Sequence, residues 1–232
     1  MRYITLLLLL LAFAACKNES PADATPTDRM IAKAEEPVTV PKMTPEQAVK
    51  LGTDDRSYVP GQRIGMITAT TTPEQLTEYY GAENVAKDSI SLGEGFFIDG
   101  YKVFSGTASE IALIFPGGEE NIKALQATID LESTEWKSAQ NRVGIGTTLD
   151  ELVRYNGVPF NFMGFDWDYG GVVTDWQDGS LKDHRIRLGY DFSQRENTKL
   201  DKTLIGDQGA VSNSPYVKDV DIKVIQVIVR ME

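Results

Sequence analysis

The sequence predicts an α+β protein made of two tandem copies of a helix followed by an antiparallel meander. Three observations predict it. Thr71-Thr72-Pro73-Glu74-Gln75-Leu76-Thr77-Glu78-Tyr79-Tyr80-Gly81 aligns without gaps on Thr147-Thr148-Leu149-Asp150-Glu151-Leu152-Val153-Arg154-Tyr155-Asn156-Gly157, with five of eleven positions identical. Each string carries the full set of signals for one short helix. Each is followed by apolar runs of strand length separated by turn residues.

Taken in chain order, Thr44 caps a short helix expected over 45–51. In the repeated strings Thr72 and Thr148 are N-caps, and Gln75 and Glu151 three residues later complete capping boxes. Pro73 stands at the first helical position, where a missing N–H costs nothing. Leu76 with Tyr79, and Leu152 with Tyr155, share a helical face, and Gly81 and Gly157 end the helices. Helices this short need a sheet to pack on. The first meander is read from Phe96-Phe97-Ile98 and Tyr101-Lys102-Val103-Phe104, with the hairpin turn at Asp99-Gly100, then Glu110–Phe115. The second is read from 171–176 and 184–190 around a turn at Asp178-Gly179. A long strand over 220–231 closes the chain, with apolar residues on both faces from Val224 onward, as in an interior position.

The amino terminus reads as an address. Residues 4–15 form an apolar run after Arg2, about 18 Å as a helix and too short to span the roughly 30 Å hydrocarbon core. Residues 1–15 therefore read as a signal peptide. Phe13-Ala14-Ala15-Cys16 resembles a lipobox, which makes Cys16 the expected lipidated residue and first residue of the mature chain. Lys17-Asn18-Glu19 is similar to surface-export signals of lipoproteins, so the expected location is the outer membrane, with the cell surface favoured over the periplasmic face. Residues 16–43 hold four of the ten prolines and no aromatic, and are expected to form a tether. The repeats then divide the remainder into 44–138 and 139–232.

Composition narrows the function. The 34 acidic against 23 basic residues give a net charge of −11, which argues against a nucleic-acid surface. One Cys and one His exclude a disulfide framework, Cys-built zinc sites and poly-His metal sites. There is no nucleophile elbow, no Ser-x-x-Lys and no P-loop. Asp166-Trp167-Asp168-Tyr169-Gly170-Gly171 fails the EF-hand template, because its fifth and twelfth positions are Gly170 and Gln177. No cofactor, metal or catalytic residue is therefore expected. An irregular calcium site from Asp166, Asp168, Asp175 and Asp178, and a hydrolase using Glu94 with Asp166 or the lone His184, are the minor alternatives.

The most unusual stretch is 160–176. Phe160 and Phe162 are two apart, as are Phe165, Trp167 and Tyr169, with a shift of phase at Met163-Gly164. A bulge at Gly164 would place all five on one face, with Trp176 joining from the next strand and Asp166 and Asp168 opposite. That face is either core beneath the helices or an exposed platform. As a platform, Phe165, Trp167, Tyr169 and Trp176 would bind an envelope protein partner or a glycan.

The apolar-Gly, Thr-Thr, Leu-x-x-Tyr and Gly pattern followed by a meander resembles the tandem repeat of β-lactamase inhibitor proteins. The small outer-membrane assembly lipoproteins of the SmpA/OmlA type use one such unit. Asn156-Gly157-Val158-Pro159-Phe160 through Gly164–Gly171 is also similar to a family of uncharacterised bacterial envelope lipoproteins. The resemblance implies the fold over most of 61–232 and no particular activity. The function expected is a non-catalytic, lipid-anchored binding module, an assembly accessory, adaptor or inhibitor, with a glycan or small-ligand binder as the alternative.

Overall fold

Both repeated strings fold as helices, α2 (Pro73–Tyr80) and α3 (Leu149–Asn156), after a short α1 (Pro45–Val49). The computed structural model describes residues 38–117, 122–190 and 202–232. The signal peptide, Cys16 and the tether as far as Pro37 lie outside the described residues. In α2 the Gln75 N–H donates to Thr72 Oγ1 at 3.4 Å, and the Thr72 N–H donates to Gln75 Oε1 at 2.9 Å. In α3 the matching distances, between Thr148 and Glu151, are 3.3 and 2.9 Å. The threonine before each cap repeats as well. Thr71 Oγ1 accepts from the Thr68 N–H and Thr147 Oγ1 from the Gly144 N–H, both at 3.0 Å. Leu76 and Leu152 are fully buried. Gly157 closes α3 in the left-handed region, while Gly81 has φ +83° and ψ 146°, a conformation for glycine alone. Thr72→Ala and Thr148→Ala are each expected to lower stability by about 1 kcal/mol in urea titrations, with the serine variants near neutral.

The main sheet combines β4 (Val85–Gly93), β5 (Phe96–Val103), β6 (Ile111–Ile114), β7 (Leu125–Ile129), β11 (Arg185–Tyr190) and β13 (Ile222–Met231) in the order β11-β13-β7-β6-β5-β4. All of its pairings are antiparallel. As expected, β13 is interior. Its register against β11 shifts between Arg187, opposite Gln226, and Leu188, opposite Val224. Ile225 is the extra residue. That bulge lets both Val224 and Val227 face the core, which explains an apolar run that simple alternation could not.

The expected hairpin turn at Asp99-Gly100 is corrected. Asp99 and Gly100 sit inside β5, opposite Ser89 and Asp88, and the turn lies at Gly93-Glu94-Gly95, all with positive φ. Gly100 serves close approach instead: a Cβ there would meet the Leu113 carbonyl oxygen at 2.5 Å and Ile90 Cγ1 at 2.6 Å.

The strands of the second half do not form one meander. β9 (Asn161–Met163), β10 (Val173–Asp175) and β12 (Gly209–Val211) make a three-stranded sheet, while β11 and β13 join the strands of the first half. The turn at Asp178-Gly179 is present, but the strands on its two sides belong to different sheets. A four-stranded sheet of β1 (Ser57–Val59), β2 (Arg63–Ile64), β3 (Ile67–Thr68) and β8 (Lys137–Ser138) adds a parallel β1–β8 pair. One contiguous hydrophobic cluster runs through both halves, from Tyr58 and Leu76 to Leu152 and Val229. The start of α3 is stitched to β13 by the Gly146 and Val224 N–H groups, which donate to the Val224 and Thr147 carbonyls at 2.9 Å.

Candidate functional site: a groove on the outer face of the sheet

The aromatic stretch divides where the chain leaves β9. Phe160 and Phe162 face the core. After Met163 the chain forms a turn, not a bulged strand. The Gly164 N–H donates to the Gln208 carbonyl at 2.8 Å, and a Cβ on Gly164 would approach the Gly206 carbonyl oxygen to 2.6 Å. At the far end Gly171 has φ +78°, and its carbonyl accepts from the Leu188 N–H at 2.7 Å. Two close backbone approaches therefore clamp 164–171.

The clamped turn sorts the expected binding residues. Phe165 is buried, edge-on to Tyr190 at 5.2 Å. Trp176 is buried against Phe160 at 4.6 Å, and its indole N–H donates to the His184 carbonyl at 2.8 Å. These two are core, which corrects the single aromatic face. Trp167 is half-buried, donates its indole N–H to the Gly164 carbonyl at 2.9 Å, and stands edge-on to Tyr169 at 5.3 Å. Tyr169 is 53 % exposed. Arg187 holds the turn from below, donating to the Gly170 and Asp168 carbonyls at 2.8 Å each.

Trp167 and Tyr169 wall a groove of about 990 Å³ over the face of the main sheet that points away from the core. Its floor is apolar toward β4 and β6, where Ile90, Ala112 and Ile114 form a small second cluster. It is polar in the middle, where Gln226 Nε2 donates to Asp130 at 2.8 Å. Lys102 bridges Glu110 at 3.2 Å and Asp88 at 3.3 Å, and these partners raise its pKa. The β4–β5 tip forms the adjoining rim and meets this wall at Glu94. The Glu94 carboxylate beside the Tyr169 hydroxyl holds the phenol above its usual pKa. Phe96 projects there, 59 % exposed, while Phe97 is exposed on the other face of β5. In the sequence this rim is hidden by the turn-like Asp99-Gly100 pair. The Gly93-Glu94-Gly95 string was the signal that could have found it.

Other candidate groups lie apart. Glu94 lines this groove, whereas His184 lines a second, smaller one, and Asp166 lines neither. Asp166 accepts the Tyr190 hydroxyl at 2.9 Å, and Asp175 accepts the Gln177 N–H at 2.8 Å. Among the described residues no three His, Cys, Asp or Glu side chains gather as metal ligands. His184 stands just before β11. Its ring is buried, edge-on to Tyr58 at 6.1 Å, and neither nitrogen has a hydrogen-bond partner among the described residues. Burial pushes its pKa down to about 4, the Leu181 backbone opposing. No family model, curated protein or solved structure matches this chain.

Proposed function

We propose that the protein is a lipid-anchored binding module of the bacterial envelope, non-catalytic, which holds a protein partner in the groove beside Trp167 and Tyr169. The observation that carries this reading is the exposed aromatic pair fixed at the wall of a groove whose β4–β5 rim carries Phe96. Rigid aromatics at the edge of a partly apolar cleft are the usual anchors of protein interfaces. The anchor is Cys16, on the outer membrane, behind a proline-rich tether. The scaffold repeats a capped helix with the turn before it, in the manner of the tandem repeat of β-lactamase inhibitor proteins. The matched capping and turn hydrogen bonds of α2 and α3 support the repeat, although the second copy contributes its strands to two sheets.

Tagged protein crosslinked in intact cells tests the partner. A discrete adduct is expected, reduced at least tenfold in Trp167→Ala/Tyr169→Ala, whose side chains lie outside the core. An adduct unchanged in that variant overturns the groove as the contact surface. Cys16→Ser is expected to move the protein from the membrane to the soluble fraction, and retention on the membrane overturns the anchor.

A further inference from the structure

The outer face of the main sheet is not electrically uniform. In β11, Arg185 lies opposite Ile228 and Arg187 opposite Gln226. Ile186 between them is buried in the core, so both arginines point to the outer face. Val229 and Met231 are likewise core, which turns Arg230 outward beside Ile228, diagonal to Arg185. With Lys182 these arginines border a groove of about 470 Å³, where four cations face only Asp183 and Glu232. This is an inverted charge balance in a chain of net −11. Arg230 is paired with Glu232 at 3.0 Å and Arg187 donates to carbonyls, which leaves its charge in place. Arg185 is exposed, with no ion-pair partner among the described residues.

The two grooves share Val172, Arg187, Gln226 and Ile228 and so form one channel across the sheet. At the β4–β6 end Phe96 and the Ile90 cluster adjoin the paired Lys102 and Glu110; the channel is aromatic at Trp167 and Tyr169, and basic at β11. Six strands at roughly 4.8 Å spacing make it about 24 Å long, the length of about seven extended residues. The acids that line the channel, Glu94, Glu110, Asp130 and Asp168, belong to its other part, and with a Debye length of about 8 Å at physiological salt local charge decides what binds at the β11 end.

We propose that the channel takes an extended segment of the partner protein with acidic residues at one end and apolar ones at the other, the carboxylates set against Arg185 and Arg230 and the apolar part against Trp167, Tyr169 and Phe96. This rests on the protein-binding reading above and specifies the partner's chemistry. Arginine suits it, because its planar fork pairs two N–H groups with one carboxylate.

The test uses a fluorescein-labelled peptide of four glutamates followed by Gly-Leu-Phe-Ile-Leu-Gly, with fluorescence anisotropy as the readout. Saturable binding is expected, weakened at least tenfold by Arg185→Glu/Arg230→Glu. The milder Arg185→Gln/Arg230→Gln should weaken it less, and thermal melts check that both variants are folded. The same peptide with lysines for glutamates is expected not to bind. Equal binding by wild type and both variants, binding of the lysine peptide, or full competition by inorganic tripolyphosphate overturns the proposal. In cells, an adduct lost in Trp167→Ala/Tyr169→Ala but kept in Arg185→Glu/Arg230→Glu overturns the acidic segment and leaves the protein-binding reading standing.

Discussion

Gly171→Ala is expected to lower stability by about 4 kcal/mol and to loosen the turn that carries Trp167 and Tyr169. Two effects add. An alanine held at φ +78° is strained by roughly 1–2 kcal/mol. Its Cβ would also lie 1.8 Å from the Leu188 carbonyl oxygen, which belongs to β11 and cannot swing aside as a side chain could. Relieving that overlap means moving the turn or the strand, at about 1–3 kcal/mol or more. The Leu188 N–H···Gly171 bond at 2.7 Å ties the same two segments, so movement strains it as well. Chemical denaturation measures the stability, and acrylamide quenching of Trp167 fluorescence in a Trp136→Phe/Trp176→Phe background reports the turn. Gly146→Ala, where φ is also positive but no atom lies within 4 Å, is the control and should show the backbone strain alone. Equal losses at the two sites would contradict the clamp.

The second large effect depends on pH. His184 is buried with both nitrogens unpaired among the described residues, and its folded pKa of about 4 lies below the value of 6.5 for an exposed imidazole. Between those values the unfolded chain binds a proton that the folded chain refuses. Stability from this group is therefore intact above about pH 6.5 and falls as the pH drops toward 4, by about 3 kcal/mol in all. The His184→Phe variant keeps an aromatic ring beside Tyr58 and binds no proton. It is expected to be near neutral at pH 7 and to exceed wild type by roughly 2–3 kcal/mol at pH 4.5. Carboxylates titrate in the same range in both proteins, so the difference between the two pH profiles isolates the imidazole. Parallel profiles would mean that His184 finds water or a partner in solution.

The two repeated helices were legible in the sequence down to single hydrogen bonds. Thr72 with Gln75 and Thr148 with Glu151 are local interactions, settled by residues three apart, and no tertiary contact overrides them. Asp99-Gly100 misled for the opposite reason. An Asp-Gly pair encodes a turn when only the local chain matters, but here the glycine is required by Leu113 and Ile90 on neighbouring strands. The aromatic stretch failed in the same way. Period-two spacing put Phe165, Trp167 and Tyr169 on one face of a strand, whereas Gly164 and Gly171 fold that segment against Gly206 and Leu188, remote in sequence. Half of the candidate site was therefore legible, the Trp167–Tyr169 wall. The hairpin rim and the arginines of β11 and β13 were not, because the pairing of β11 with β13 brings together residues about forty positions apart.

The most direct measurement of the central claim is site-specific photocrosslinking in cells, with a benzophenone amino acid placed at single positions. Phe96 on the groove rim and Thr128 on its floor are the test positions, and the exposed Lys50 and Glu132 outside the groove are the controls. The account predicts one adduct of the same mass from Phe96 and Thr128, absent at Lys50 and Glu132 and abolished by Trp167→Ala/Tyr169→Ala. No adduct from the groove positions, or the same adduct from all four, would contradict it.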